Sequence, residues 1–166
     1  MRHLLGVEAA MQAYARKFGE DEEHWGITGL VHDYDWEIVP SPEEHPMYGA
    51  NLLKEAGFPD DTVRDVLTHG NHTGISRETM MGKTLFAIDE LSGFIRAVAL
   101  VRPTKSLSEV TPKNVLKKFK DKGFARDVVR NDIIEGAQEM GFNLGNRIAF
   151  VIGSLKPVAP DLGLNA

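Results

Sequence analysis

A chain of 166 residues and 18.4 kDa is long enough for one domain with its own core, at roughly 100–200 residues per domain. Its 42% hydrophobic and 26% charged residues, with 16 Gly and 8 Pro, exclude disordered and collagen-like chains. The lack of cysteine excludes thiol catalysis, Cys-ligated zinc and iron–sulfur clusters, and the net charge of −5 argues against a general nucleic-acid binder.

Helical periodicity dominates along the chain. Leu4, Leu5, Ala9, Ala10, Met11, Tyr14 and Ala15 predict a first helix that ends near Gly19, and the acids Glu20 to Glu23 open a second that runs toward Val31. Ser41-Pro42-Glu43-Glu44 reads as a loop feeding a helix through Gly49 to Leu53, stopped by Gly57 and Pro59, with another helix from Asp60 to Thr68. The most apolar helix spans about Thr84 to Leu100, until Arg102-Pro103 ends it, and it should be central. Thr111-Pro112 is an N-cap and first helical position for Lys113 to Lys122. Further helices are expected from Val128 to Met140, before Gly141, and from about Asn143 to Leu155. No sizeable alternating strand pattern occurs, so the expected class is all-α, a compact helical bundle over residues 1–155 with a loosely attached tail over 156–166. No apolar run approaches the ~20 residues needed to span a bilayer, and charge soon follows the first residues, which predicts a cytoplasmic protein that does not bind membranes.

Two distributions are uneven. Between Arg96 and Arg130 stand ten Lys/Arg and three Asp/Glu, a local +7, which leaves nine against twenty-one, −12, elsewhere. All six histidines, His3, His24, His32, His45, His69 and His72, precede residue 73. Asp89 sits inside the apolar helix, on the face of Leu85, Phe86, Ser92 and Gly93. An unpaired carboxylate there would cost several kcal/mol, so it needs a cation or must stay protonated. A salt bridge to Arg96 or Lys83, exposure at a helix edge, and a metal ion all remain open. His32-Asp33 ends the apolar run Ile27 to Val31. One ion beside the helix end can take both side chains, because adjacent helical residues diverge by about 100°. Imidazole with carboxylate suits Mn, Fe, Co, Ni or Zn, with Mg less favoured. His24 stands in an acidic segment and reads as a surface residue.

The order His3, His32-Asp33, His45, His69, Asp89 resembles the HD-domain superfamily of metal-dependent phosphohydrolases, all-helical proteins with an adjacent His-Asp pair. Trp25 through Glu37, Glu44-His45-Pro46 through Gly49-Ala50, Thr68 to Asn71 and Ala87 to Gly93 are similar to one branch of predicted HD hydrolases, from residue 3 to about 130. The resemblance implies metal ligands at His3, His32, Asp33 and Asp89, with His45 and His69 added in two-metal members, where the Asp of the pair bridges the ions. His72 could join or replace His69. Members of this branch usually carry a helix before the first His, and here that His is the third residue, which predicts fraying around His3.

One or two divalent ions so held imply hydrolysis of a phosphate ester, of a nucleotide or another small phosphorylated compound. Asp33 would take part in catalysis, with Asp35 or Glu37 as general base or as a carboxylate that orients the water. The basic segment would neutralise the substrate. Arg102, Lys105 and Arg126 are its best phosphate ligands, because they sit near helix ends or loops. A solvated basic face is the alternative for its lysines. Duplex nucleic acid is not an expected partner, since a long polyanion would meet the acidic remainder; a homo-oligomer is possible. Two other function classes stand beside the phosphohydrolase: an HD-type di-iron oxygenase, and a regulatory or ligand-binding HD protein that keeps the metal without turnover.

Overall fold

The protein is described by a computed structural model over residues 1–39, 41 and 43–165. The expected loop at Ser41-Pro42-Glu43-Glu44 and the end of the tail at Ala166 fall partly outside the described residues. Eight α-helices follow in order: α1 Arg2–Phe18, α2 Glu22–Val31, α3 Met47–Glu55, α4 Asp60–Thr68, α5 Met80–Leu100, α6 Pro112–Phe119, α7 Arg130–Glu139 and α8 Leu144–Leu155. Among the described residues no strand forms, and Ser106 with Asn165 makes an isolated backbone bridge. Among the described residues no helix is long and apolar enough to cross a membrane.

Local chemistry sets most boundaries. Gly19 ends α1 in the left-handed region, φ 77°, with its N–H on the Ala15 carbonyl. Asp21 caps α2 by accepting from the His24 N–H, with Glu22 and Glu23 at the positive end of the helix dipole. Thr79 caps α5 through the Gly82 N–H, so this helix begins one turn before the expected Thr84. Thr111 and Asn114 form a capping box around Pro112, as the sequence signals, and α6 stops at Phe119, ahead of the expected Lys122.

Helix α5 is the axis. Leu85, Ile88, Leu91, Phe94, Ile95 and Ala99 are fully buried, each large side chain contributing ~1.5–3 kcal/mol of transfer free energy. Helices α1, α4, α6, α7 and α8 pack around it, and α2 lies along α1. A second, smaller cluster of Ala50, Leu53, Val63 and Val66 joins α3 to α4. The tail is not loosely attached. Ala159, Leu162 and Leu164 are buried in the main core, Arg96 donates to the Leu162 carbonyl at 2.9 Å, and Leu162 reaches Gly6 on α1. Its spaced apolar residues pack despite the prolines, because a short turn at Lys156–Val158 redirects the chain across α1 and α5. Residues 156–165 therefore belong to the same body as the helices. Arg147 on α8 is also buried and donates to the Ala87 carbonyl of α5.

Helices α5 and α7 touch backbone to backbone. A Cβ at Gly136 would stand 2.6 Å from the Ala87 Cα, so the helices must separate to admit one. Gly136→Ala is expected to cost ~1–3 kcal/mol, lowering Tm by roughly 2–4 °C per kcal/mol in a chain of this size. Gly153→Ala on α8 has nothing within 4 Å of the added Cβ and should leave Tm unchanged or raise it, by ~0.4–1 kcal/mol. Thermal unfolding of the two variants side by side checks both.

Candidate metal centre

Six side chains from five separate stretches converge at one end of the bundle. His3 comes from the first turn of α1, His32 and Asp33 from the C-terminal end of α2, His45 from the turn before α3, His69 from the end of α4 and Asp89 from the middle of α5. They form two groups that could each hold a metal ion. The first is His3, His32, Asp33 and Asp89; the second is Asp33, His45 and His69. Asp33 belongs to both. Its Oδ2 lies 3.7 Å from His3 Nε2 and 3.5 Å from His32 Nε2, while its Oδ1 lies 2.9 Å from His45 Nε2 and 3.2 Å from His69 Nε2. Asp89 Oδ1 stands 2.8 Å from His3 Nε2 and 3.4 Å from His32 Nε2.

The imidazoles are fixed from behind. His32 Nδ1 donates to the Gly29 carbonyl at 2.7 Å, His69 Nδ1 to the Val66 carbonyl at 2.5 Å and His45 Nδ1 to Asp35 Oδ1 at 2.7 Å. Each neutral ring then turns a lone pair on Nε2 into the shared space. His32 Nε2 is buried with no hydrogen-bond partner, and His45 and His69 face each other Nε2 to Nε2 at 3.0 Å. Lone pairs aimed at lone pairs and carboxylates repel unless a cation lies among them. The donor set therefore fits a divalent metal on nitrogen and oxygen.

The electrostatics agree. Burial opposes charge on His32, but the Asp33 and Asp89 carboxylates outweigh it and lift its pKa to about 9. Burial would likewise raise the carboxyls of Asp33 and Asp89. The surrounding imidazoles, His32 first, hold both well below the usual carboxylate range. Protons here stand in for a cation.

The site opens into a cavity of about 770 Å³ lined by all of these residues except the buried His32, together with Trp36, Glu43, Met47, Asn71, His72, Phe86 and an acidic wall of Glu90, Asp127 and Asp132. Burial first, then Asp89, pushes the Glu90 carboxyl up to about 7, and burial with Glu135 raises Asp132.

The sequence expectations divide at this cavity. His3 does not fray, since α1 begins at Arg2 and His3 meets Asp89. Asp89 pairs with imidazoles and with neither Arg96 nor Lys83. Asp35 is fully buried, accepting from His45 Nδ1 and, at 2.9 Å, from the Gly49 N–H. With both oxygens taken it is placed to orient His45. Gly49 permits this approach, because a Cβ there would stand 2.7 Å from the Asp35 carboxyl carbon. Glu37 is exposed and lies outside the cavity lining, since the turn after α2 carries it to the outer surface. His72 stays outside both donor groups, its Nε2 on the His45 carbonyl. His24 is half-buried and shares a hydrogen bond with Thr62 Oγ1 at 3.0 Å.

The basic segment is the larger correction. Arg102 lies roughly 20 Å along α5 from Asp89, at 1.5 Å per residue, and its guanidinium serves Asn114 and Glu109. Lys105 is exposed in the following turn, and Arg126 is exposed beside Asp127. None of the three lines the cavity, and among the described residues no Lys or Arg does. Charge density along a sequence says nothing of the face it occupies. The acidic wall was missed for the same reason, its members being scattered over three positions with no shared spacing.

Asp35→Asn should weaken metal binding by about ten- to a hundredfold, the usual cost of losing a carboxylate behind a ligating His, with helical content unchanged. Glu37→Ala should leave binding within about twofold. Because a proton and a metal compete for His32 Nε2, and the proton leaves only near pH 9, apparent metal affinity should rise steadily from pH 6 to pH 9. Metal-buffered titration at stepped pH checks all three.

The comparisons with known proteins agree with this geometry. No curated protein and no solved structure matches the chain. The family described as HD domain matches residues 1–93, the stretch that carries all six converging side chains. With more than half of its length so matched, this chain belongs to the HD-domain family.

Proposed function

We propose that this protein is a metal-dependent phosphohydrolase that cleaves the phosphate ester of a nucleotide or another small phosphorylated compound. One observation carries the reading: the two oxygens of Asp33 face two separate donor sets, with His3, His32 and Asp89 on one side and His45 and His69 on the other. His3, His32, Asp33 and Asp89 would hold one ion, and Asp33, His45 and His69 a second. Divalent ions held there would supply a water of lowered pKa and a Lewis acid for a phosphoryl oxygen. The nitrogen and oxygen donors suit Mn, Fe, Co, Ni or Zn.

The chain's own part is to hold these ligands still. The Gly29 and Val66 carbonyls fix the tautomers of His32 and His69, Asp35 fixes that of His45, and the core behind α5 fixes Asp89. Such preorganisation spares the reaction the cost of arranging its ligands. The side chains of Asn71 and His72 stand on the cavity wall, within reach of a substrate seated in the cavity.

Protein purified without chelator and analysed for its elements, then assayed on phosphomonoesters and diesters with Mn, Co, Ni and Mg, tests the reading. Parent protein should retain metal and hydrolyse a member of the panel without consuming oxygen. His32→Ala, Asp33→Ala and Asp89→Asn should each lose metal, and activity by about a hundredfold or more, with far-ultraviolet circular dichroism preserved. Arg102→Ala and Lys105→Ala, remote from the cavity, should keep kcat/KM within about twofold. Retained metal in all three ligand variants would overturn the assignment, and oxygen consumption would mark an oxygenase instead.

A further inference from the structure

The cavity takes a ligand on grounds independent of its outer wall. His32, wholly buried, turns an unpartnered Nε2 toward its floor, and the floor carries the two donor groups. What remains is the character of the outer half. Beside Asn71, His72 and the acid Glu43, its lining carries three further acids, Glu90 from α5, Asp127 from the turn before α7 and Asp132 from the first turn of α7. Among the described residues none of the three is in an ion pair. Arg77 is spent on Glu135 and Glu139 and stacks on Phe86, and Arg130 on backbone carbonyls of residues 119–128. Asp132 accepts a neutral hydrogen bond from Asn71 at 3.2 Å.

Trp36 lines the same cavity, half exposed and edge-on with His45, with ring centroids 5.2 Å apart. Carboxylates and an indole around one space suit an organic ammonium group, by charge and by cation–π attraction. They oppose a chain of phosphates, which would bring several negative charges against them.

We propose that the outer half of the cavity is an ammonium subsite, so that the substrate is a small phosphate ester carrying a cationic amine, with Glu90, Asp127 and Asp132 as its specificity residues. This rests on the phosphohydrolase reading for the ester but not for the ammonium, and the two are measured apart. The probes are phosphocholine and its uncharged isostere 3,3-dimethylbutyl phosphate, which replaces the quaternary nitrogen by carbon.

Titration calorimetry on the metal-loaded protein should find phosphocholine bound at least about tenfold more tightly, near 1.4 kcal/mol. The Asp127→Asn/Asp132→Asn double variant should bring the ratio toward one with its metal content unchanged. Equal affinity in the parent, a ratio that the double variant leaves intact, or no binding of either probe at millimolar concentration overturns the subsite. Phosphate release from both probes is read in the same samples. A tenfold ratio without hydrolysis of either probe keeps the subsite and counts against the phosphohydrolase. Hydrolysis of both probes with equal affinities does the reverse.

Discussion

Everything at the functional end of this protein follows from the charge around Asp33. Two carboxylates and four imidazoles meet at one end of the bundle, and such a cluster is stable only if a proton or a metal lies among its lone pairs. Several groups behind the rings serve that cluster. Three rings are tied back through Nδ1, so that Nε2 is the atom on offer, and the buried Asp35 exists in the fold to hold one of them. Without a cation the helices would have to bear the repulsion.

Helix α5 makes the arrangement affordable. A carboxylate in the middle of a helix with thirteen buried residues would be a poor choice for stability alone. Here the same apolar face that anchors the helix also fixes Asp89 relative to α1 and α2, whose ends bring His3 and His32. The close contact of Gly136 with Ala87 holds α7 against the same stretch of α5, two residues from Asp89, and so ties the acidic wall to the donor groups.

Much of this was legible in the sequence because it is local. Caps, glycine stops and apolar spacing placed each of the eight described helices approximately, and the order of His and Asp marked the converging residues. What was not legible depends on direction in space. A segment of +7 reads as a phosphate site until α5 is seen to carry Arg102 and Lys105 to the far end of the bundle. Asp35 and Glu37 look equivalent as alternate residues of one turn, yet one is buried beneath His45 and the other faces outward. The tail reads as loose from its prolines, but Leu162 and Leu164 find places in the core that only the assembled helices create. Arg147 gives no sign in sequence that its guanidinium will be buried against the Ala87 carbonyl.

The position of that tail has a consequence for how the chain tolerates change. Leu162 lies against Gly6, and the Arg2 guanidinium crowds the space above Gly163, so the last described stretch braces the turn of α1 that presents His3. The beginning and the end of the described chain form a clasp, and the donor group holding His3 and Asp89 hangs from it. A deletion after Leu155, far from the site in sequence, would release that clasp, and its damage would be felt by His3 at the other end of the described chain before it was felt by the helices between.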